Sequence, residues 1–331
     1  MIAPVPAEWS PHRAMWVGFP SHGELWENDL AAAQDEVAAL VRALAGPGRE
    51  RVRLLACGAQ AVTAAADRLG GVAGMEIIDA VFGDVWLRDT GPIFAAPGEA
   101  AAFRFNGWGG KYVLDGDEAV AGAIADASGA TLARHDFVLE GGALDHDGAG
   151  TVLTTRQCLL NPNRNRGWRE GDAERALEEA LGVRKVIWLG EGLMNDHTDG
   201  HVDNLARFVA RGVVACPVAY GLDDPNAPAY DAAARALAEA SDAEGQALTV
   251  IRIPSPGRVI GEDRRVTPAS HMNFLIANGA VVAPVYGERA GDFALEALEA
   301  QFPGREIIGL ASRALLTGGG SFHCISQQEP A

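Results

Sequence analysis

Hydrophobic and polar residues alternate in a rhythm that repeats five times along the chain. In each repeat, Ala and Leu recur at the i, i+3, i+4 spacing of an amphipathic helix, and a short β-branched segment follows. Most of the helical segments end near a glycine, which helices favour at their C-terminal cap. A further helix is predicted at about residues 28–45, before the strand RVRLLAC. The five helix–strand pairs are predicted at residues 61–70 and 75–80, 118–129 and 131–137, 172–182 and 185–190, 230–245 and 248–254, and 292–304 and 305–310.

The segments that follow the five short strands are rich in Asp, Glu, His, Asn and Gly. They read FGDVWLRDTGP, LEGGALDHD, NDHTDGHVDN, PASHMNFLIANG and LTGGGSFHC. In α/β proteins, strand ends and the loops after them carry the chemistry. Five equivalent modules around one axis would bring these loops to a central pocket, which predicts one pseudo-symmetric domain over residues 1–331. The alternative is the helix–strand alternation of an ordinary α/β sheet.

The bulk composition narrows the class of protein. With 331 residues and 48% hydrophobic content, the chain can bury a large core. The net charge of −17 argues against nucleic-acid binding and suits a cationic substrate, although surface acids also keep proteins soluble. The first residues lack a basic segment followed by an apolar one, and no apolar run approaches about 18 residues. We therefore expect a cytoplasmic protein without a membrane span.

One of the four cysteines stands apart from the others. The spacing of the four fits neither a zinc ribbon nor a disulfide framework. Cys57, Cys158 and Cys216 have apolar or strand-like neighbours, which predicts inert buried thiols. Cys324 follows the glycine run GGGSFH, and consecutive glycines let the backbone approach a ligand closely. Cys324 is thus a candidate nucleophile, with a buried structural thiol as the alternative.

The segment NDHTDGHVDN places His197, Asp199, His201 and Asp203 at alternate positions. In an extended chain all four side chains would point to one face. Such a cluster could bind a metal ion through imidazole and carboxylate groups. It could equally supply a general acid/base histidine with a carboxylate that holds a cation.

The segment FGDVWLRDTGP carries a second set of candidates. In an extended chain, Asp84, Trp86 and Arg88 share one face and Asp89 lies on the other. A buried carboxylate must be paired or take part in function, and the alternative to a functional role is a structural ion pair with Arg88.

Three single residues complete the candidates. Glu140 precedes two glycines and is either a ligand contact or a surface residue of a turn. Trp108, among glycines, is either a pocket wall or ordinary packing, and Asn273 is either a ligand contact or a strand-start cap. Walker, GxGxxG and GxSxG motifs are absent from the sequence, so nucleotide binding and serine-hydrolase chemistry lack local support.

Eight segments of this chain resemble the agmatine deiminases and the bacterial peptidylarginine deiminases of the same family. They are VPAEWSPH, DVWLRDTGP, FNGWGGKY, LEGGALDHDGAGTVLTT, CLLNPNRN, TDGHVDNLARF, MNFLIANGAVVAPVYG and GGGSFHCISQQEP. They occur in the family's order over nearly the whole chain. The resemblance implies the pentein fold, an α/β propeller of five ββαβ modules around a pseudo-five-fold axis.

The resemblance also implies roles for single residues. Cys324 matches the family nucleophile and His201 the general acid/base. Asp89 and Asp203 match the carboxylates that hold the guanidinium group, and Glu140 matches an acid near it. Asn273 matches a strand-start residue near the site, and Trp86 and Trp108 are candidate walls of the substrate pocket.

One position departs from the family pattern. Before TDGHVD the agmatine deiminases usually carry an acidic residue suited to the distal amine of the substrate, and this chain has His197 there. The adjacent Asp196 is the candidate to compensate. Agmatine specificity is therefore less directly implied than deiminase chemistry.

The implied reaction hydrolyses agmatine to N-carbamoylputrescine and ammonia through a covalent amidino-cysteine, as part of polyamine metabolism. It requires no metal and no organic cofactor. The expected partner is a small cationic guanidino substrate, and the family favours a homodimer. The alternatives are deimination of peptidyl-arginine or free arginine, a metal-dependent amidohydrolase, and a non-catalytic pentein that only binds a guanidino ligand.

Overall fold

The computed structural model describes residues 2–287 and 289–331. In this part of the chain, sixteen strands form five small sheets. The strands are β1 (His12–Gly18), β2 (Val52–Ala56), β3 (Met75–Asp79), β4 (Ile93–Ala96), β5 (Glu99–Arg104), β6 (Thr131–Val138), β7 (Asp145–His146), β8 (Thr151–Thr155), β9 (Lys185–Leu189), β10 (Arg207–Ala210), β11 (Val213–Val218), β12 (Thr249–Pro254), β13 (Leu275–Ile276), β14 (Ala280–Val285), β15 (Glu306–Ala311) and β16 (Ser326–Pro330).

Helices connect the strands. The helices are α1 (Gly23–Trp26), α2 (Leu30–Ala45), α3 (Gly58–Leu69), α4 (Leu87–Thr90), α5 (Gly107–Gly110), α6 (Val120–Ser128), α7 (Arg156–Leu159), α8 (Glu170–Leu181), α9 (Ala227–Glu239), α10 (Arg289–Glu299) and α11 (Arg313–Thr317). Short 3-10 turns occur at Glu27–Asp29, Asp117–Ala119, Gly141–Ala143 and Val202–Asn204. Among the described residues, no helix combines the length and apolar character that a membrane crossing needs.

Four of the sheets repeat one topology. Their strand orders are β4-β5-β6, β7-β8-β9, β10-β11-β12 and β13-β14-β15. In each sheet the first two strands are antiparallel and the third is parallel to the second. A parallel pairing needs a crossover connection, which α6, α8, α9 and α10 supply in turn. The predicted ββαβ module is therefore confirmed.

The fifth sheet joins the two ends of the chain. Its order is β16-β1-β2-β3, with β16 antiparallel to β1 and the other two pairings parallel. The amide of Gly18 also donates a hydrogen bond of 2.9 Å to the carbonyl of Ile325. Because β16 begins two residues after Cys324, this pairing fixes the C-terminal glycine motif beside β1.

Burial falls from the middle to the outer strand of a sheet. Every residue of β2 and β8 is buried, whereas β3 and β15 are half exposed at the outer edge. Short apolar runs are typical of parallel strands that are covered on both faces. The helices cover the strands from outside, and α2 packs against α3 and α11.

The sequence rhythm corresponds closely to the observed elements. All five predicted helix–strand pairs are present, as α3 with β3, α6 with β6, α8 with β9, α9 with β12 and α10 with β15. The additional helix predicted at residues 28–45 is α2, which follows a 3-10 turn.

Candidate active site

Loops from different modules converge where Gly142 lies. A Cβ atom built on Gly142 would be 2.6 Å from His201 Nδ1, 2.9 Å from Asp89 Oδ1 and 3.2 Å from Asp203 Oδ2. Asp203 Oδ2 in turn lies 3.7 Å from the sulfur of Cys324. Only glycine fits at the centre of this cluster, since any side chain would collide with the ionisable groups. The structure thus brings together the thiol, the imidazole and both carboxylates that the sequence singled out.

The glycine run shapes the surroundings of Cys324. A Cβ on Gly320 would lie 2.5 Å from the ring of Trp86 and 3.1 Å from the sulfur of Cys324. Gly319 has a φ of 105°, which side chains rarely tolerate. The glycines therefore let Trp86 pack beside the thiol. The thiol itself is buried.

Asn273 holds the nucleophile segment from the other side. Its Oδ1 accepts hydrogen bonds from the amides of His323 and Cys324, at 3.0 and 3.3 Å. Its Nδ2 lies 3.1 Å from the Cys324 sulfur and 3.3 Å from Asp203 Oδ2. Asn273 precedes β13 and contacts the site directly.

The pKa of Cys324 is raised well above its usual value. Burial is the largest cause, and the negative charges of Asp203 and Asp89 add to it. The Asn273 amide and a backbone hydrogen bond at Ser321 oppose these effects. The resting group is therefore a neutral thiol, and a cation placed between the two carboxylates would favour the thiolate.

His201 is fully buried between two acids. Its Nδ1 lies 3.7 Å from Asp89 Oδ1, and its Nε2 lies 3.8 Å from Glu140 Oε2. Neither ring nitrogen has a hydrogen-bond partner among the described residues. Burial by itself would lower the pKa of His201, but Asp89, Cys158 and Glu140 together raise it well above its usual value. The raised pKa favours the protonated form of the His201 imidazole.

The two carboxylates near the thiol differ in their partners. Asp89 accepts hydrogen bonds of 2.9 Å from the Trp108 indole and from the Gly142 amide. Burial raises the pKa of Asp89, and the nearby His201 opposes that rise. Asp203 Oδ2 lies 2.8 Å from His323 Nδ1, whereas its buried Oδ1 has no hydrogen-bond partner within the described part of the chain.

Asp203 is an anion despite its burial. Burial alone would raise its pKa, but His323, His201 and Arg207 lower it below its usual value. A buried anion with one unpaired oxygen is suited to receive the N–H groups of a cation.

Glu140 faces His201 and is itself held by Arg164. Arg164 Nε lies 2.7 Å from Glu140 Oε1, and the same guanidinium contacts Asp199 at 2.6 Å. Burial alone would raise the pKa of Glu140, but His201 and Arg164 lower it. The carboxylate is therefore anionic and fixed against the imidazole.

The two candidate tryptophan walls are anchored by acids. Trp86 donates to Asp84 Oδ2 at 2.8 Å, and Trp26, stacked on Trp86, donates to Asp84 Oδ1 at 3.0 Å. Trp108 packs edge-on against Phe105 and donates to the Asp89 carboxylate, as described above. Both rings thus border the acidic cluster.

The alternative interpretation, a structural ion pair of Arg88 with a carboxylate of this segment, is not found among the described residues. Residues 87–90 form the short helix α4, so the alternation of an extended chain does not apply. Arg88 instead donates to the carbonyl of His323 at 3.3 Å and to Gln328 at 2.7 Å.

His197 lies at the rim of the site, beside the glycine run, and Asp196 precedes it in the chain. His197 is exposed, stacks on Tyr112 and places its Nδ1 3.0 Å from the Tyr112 hydroxyl. A Cβ on Gly319 would lie 3.7 Å from the same nitrogen, so His197 borders the glycine run. Asp196 Oδ1 accepts two hydrogen bonds from Thr198, while its buried Oδ2 has none within the described residues.

The four alternate residues of NDHTDGHVDN do not share one face. Asp199 and Gly200 have φ values of 63° and 84°, and residues 202–204 form a 3-10 turn. Asp199 pairs with Lys111 and Arg164, and His197 points to Tyr112. The metal site that an extended chain would allow, one of the two alternatives, is therefore not formed by these four side chains.

A buried ion network beneath Cys324 was missed from the sequence. His323 Nε2 lies 3.2 Å from Glu8 Oε2, Glu8 also pairs with Arg207, and Arg207 pairs with Asp145. Burial alone would raise the pKa of Glu8, but Arg207 and His323 hold it far below its usual range. Glu8 and Arg207 lie in the quoted motifs VPAEWSPH and TDGHVDNLARF, yet nothing local in the sequence pairs them.

Arg164 and Cys158 were also missed as neighbours of the site. Both lie in the motif CLLNPNRN, and Cys158 was interpreted as an inert buried thiol. It is buried, but its sulfur lies 4.0 Å from Glu140 Oε2.

Comparison with known proteins defines the class. DDAH from Pseudomonas aeruginosa, 13% identical with a TM-score of 0.57 over 96% of this chain and 99% of that one, shares the fold alone. The agmatine deiminase of Enterococcus faecalis has a TM-score of 0.92 and 32% identity, covering 99% of this chain and 95% of that chain. The predicted pentein-type α/β architecture is confirmed.

The sequence comparison goes further. The agmatine deiminase of Ectopseudomonas mendocina (strain ymp) is 37% identical over 357 residues, spanning 99% of this chain and 95% of the relative. The sequence profile of the Porphyromonas-type peptidyl-arginine deiminases matches residues 4–330. The chain belongs to the Porphyromonas-type peptidyl-arginine deiminase family.

Proposed function

We propose that this protein is an agmatine deiminase that hydrolyses agmatine to N-carbamoylputrescine and ammonia through a covalent intermediate on Cys324. One observation carries the proposal. The thiol of Cys324, the imidazole of His201 and the carboxylates of Asp89 and Asp203 converge around Gly142. Asp203 Oδ2 lies 3.7 Å from the Cys324 sulfur, and Asp89 Oδ1 lies 3.7 Å from His201 Nδ1. This arrangement suits a planar cation that is attacked at its central carbon.

The two carboxylates bind and orient the substrate. A guanidinium group stays protonated at neutral pH because its pKa is above about 12. Asp203 Oδ1, buried and without a partner in the described residues, accepts one N–H group, and Asp89 accepts another. Bound between them, the cation offsets the charges that raise the pKa of Cys324, so substrate binding favours the thiolate.

The chemistry then proceeds in two halves. On substrate binding the Cys324 thiol releases its proton to solvent. The thiolate attacks the guanidinium carbon, and His201 donates its own proton to the nitrogen that leaves as ammonia. The carbon remains bonded to sulfur as an amidino-cysteine. In the second half His201 takes one proton from water as the oxygen bonds to the carbon. The remaining hydroxyl proton moves to the sulfur as the carbon–sulfur bond breaks, which releases the ureido product and restores the thiol.

Glu140 and Arg164 are positioning residues in this scheme. Glu140 lies 3.8 Å from His201 Nε2 and keeps the imidazole protonated and oriented. Arg164 holds Glu140 at 2.7 Å, so the acid cannot turn toward the substrate cation.

The rim of the site favours agmatine, whose distal end carries only an ammonium, over arginine, whose distal end also carries a carboxylate. Lys111 at the surface and the buried Arg164 are both engaged at 2.6 Å by Asp199. Neither is free to receive the carboxylate of arginine. The buried Oδ2 of Asp196, which has no hydrogen-bond partner among the described residues, suits the distal ammonium of agmatine. Asp196 would thereby compensate for His197 at the neighbouring position. The 37% identical agmatine deiminase of Ectopseudomonas mendocina supports the same substrate.

A side-by-side assay of the ureido product tests this assignment. Agmatine, free arginine and an arginyl peptide are offered to the same enzyme preparation, and products are separated by mass. We expect kcat/KM for agmatine to exceed that for the other two by about 100-fold or more, because the arginyl peptide lacks the distal ammonium and free arginine adds a carboxylate beside it. A preference for arginine or the peptide would overturn the substrate assignment without touching the thiol mechanism.

A further inference from the structure

Three metal-ligating side chains meet at the Nε2 edge of His201. The Nε2 atom lies 3.8 Å from Glu140 Oε2, and the sulfur of Cys158 lies 4.0 Å from the same oxygen. All three ligand atoms fall within 4.8 Å of one another, and all three residues are buried. The hydrolysis described above uses His201 and Glu140 but has no task for Cys158.

The spacing suits a tetrahedral metal ion. Zinc binds thiolate at about 2.3 Å and imidazole or carboxylate at about 2.0–2.2 Å, so its ligand atoms stand about 3.3–3.8 Å apart. The two separations to Glu140 Oε2, 3.8 and 4.0 Å, need to close by only a few tenths of an ångström, and the third, between Cys158 and His201, lies within 4.8 Å. Water would complete the fourth position of the ion.

The three ligands are held in place by their surroundings. Arg164 occupies Glu140 Oε1 at 2.7 Å and leaves Oε2 turned toward His201 and Cys158. The amide of Cys158 donates to the Thr155 hydroxyl at 3.2 Å, which fixes the start of α7. His201 Nε2 is fully buried and has no hydrogen-bond partner in the part of the chain that the structure describes. Outer contacts that fix ligand orientation are typical of real metal sites.

We propose that Glu140, Cys158 and His201 form an inhibitory binding site for a thiophilic divalent cation, with Zn²⁺ as the ion whose ligand preferences fit. The inference goes beyond hydrolysis of the guanidinium group. Binding displaces the protons of Cys158 and His201 to solvent, since the metal takes thiolate and neutral imidazole. With the ion on Nε2, His201 can no longer move a proton between the substrate and water. Catalysis stops while Cys324 stays free.

Binding is tested without reference to activity. Co²⁺ serves as the probe because a cobalt–thiolate bond gives a near-ultraviolet charge-transfer band. The protein carries Cys324→Ser throughout, so the catalytic sulfur cannot contribute. We expect a saturable band with one ion per chain that disappears in Cys324→Ser/Cys158→Ser. Cys324→Ser/Cys216→Ser is the matched control, since Cys216 is a buried thiol in β11, and it should keep the band.

Inhibition is tested in the otherwise intact enzyme. The Zn²⁺ inhibition constant is measured for the wild type, Cys158→Ala and Cys158→Ser, each normalised to its own metal-free activity. We expect the Zn²⁺ inhibition constant of both variants to rise by about 100-fold or more, because one of the three protein ligands of the ion is lost. Thermal unfolding of each variant shows that it is folded.

Two results would overturn the proposal. The first is the absence of a cobalt band in Cys324→Ser, or its persistence after Cys158 is also removed. The second is unchanged Zn²⁺ inhibition in both Cys158 variants, which would place the inhibitory ion on Cys324. Neither result depends on which guanidino substrate the enzyme prefers.

Discussion

Asn273 bonds to the backbone and the side chain of the nucleophile segment at once. Its Oδ1 receives the amides of His323 and Cys324, and its Nδ2 lies 3.1 Å from the Cys324 sulfur. The same nitrogen lies 3.3 Å from Asp203. One amide thus sets the distance between the attacking sulfur and the carboxylate that holds the substrate.

The first prediction follows from this contact. Asn273→Ala should lower kcat about 100-fold, because small misplacements of a reacting atom have effects of this size. It should also cost about 1–3 kcal/mol of stability, since two buried amides lose their acceptor. The matched control is Asn165→Ala. Asn165 bonds the Val138 backbone in both directions at 3.0 and 2.8 Å outside the thiol cluster, so its loss should lower stability and leave kcat nearly unchanged. Equal effects of the two substitutions on kcat would contradict a positioning role.

The second prediction concerns the carboxylates. Asp89→Asn and Asp203→Asn keep shape but remove charge, and each should lower kcat/KM for agmatine by about 100-fold or more. A charge-assisted hydrogen bond contributes about 1.5–3 kcal/mol, and burial increases it. Asp147→Asn serves as the control, because Asp147 is a buried acid that caps the amides of Ala149 and Thr151. Steady-state kinetics measures kcat/KM for each variant. Equal values for the three variants would show that Asp89 and Asp203 do not bind the substrate.

The third prediction is a pH profile of thiol reactivity. Burial, Asp203 and Asp89 raise the pKa of Cys324 well above 9.0. Because only the thiolate reacts, alkylation of free enzyme by iodoacetamide should keep accelerating above pH 9.0 rather than level off near neutrality. Asp203→Asn removes one of the causes and should move the profile to lower pH. A plateau below about pH 8 in the wild type would show that the resting thiol is already ionised.

The fourth prediction concerns stability and Asp117. Burial, opposed by the amides of Asp84 and Gly83, raises the pKa of Asp117 from 3.8 to about 6. The folded protein therefore binds this proton more tightly than the unfolded chain. Its contribution is complete below pH 3.8 and is lost as the pH rises through about 6.

Asp117→Asn should remove that pH dependence. Oδ1 can still accept from Gly83 and Asp84, at 2.9 and 3.2 Å, while the charge beside Asp84 disappears. We expect the variant to be more stable than the wild type at pH 8 by about 1–2 kcal/mol, with the difference shrinking toward pH 4. Urea denaturation at pH 8 and pH 4 measures this difference in stability. A difference that grows on acidification would contradict a raised pKa of Asp117.

The sequence predicted the architecture because its signals are local. An apolar period of 3.6 residues indicates a helix, and a short β-branched run after it indicates a strand, so each module is identified without knowledge of the others. Cys324 also had a local signal, since the three glycines before it permit the approach of Trp86 that the structure contains. The domain assignment over residues 1–331, the homodimer and the cytoplasmic location stay predictions.

The sequence-based predictions that failed concern turns or contacts between residues far apart in the chain. The alternation inferred for residues 195–204 failed because positive φ angles at Asp199 and Gly200 turn the chain. The bond between Glu8 and His323 joins residues 315 positions apart, and no local pattern marks it. Cys158 resembles any buried thiol until the fold places Glu140 beside it.

The most direct test of the account is to trap the covalent intermediate. Wild-type enzyme is mixed with agmatine, quenched in acid during turnover, digested and analysed by mass spectrometry. We predict an adduct with the mass of agmatine less ammonia on the wild-type peptide that contains Cys324. The Cys324→Ala variant, which keeps His201, should carry no adduct and should release no ammonia. Ammonia release by Cys324→Ala at the wild-type rate, or an adduct confined to another cysteine, would contradict the central claim.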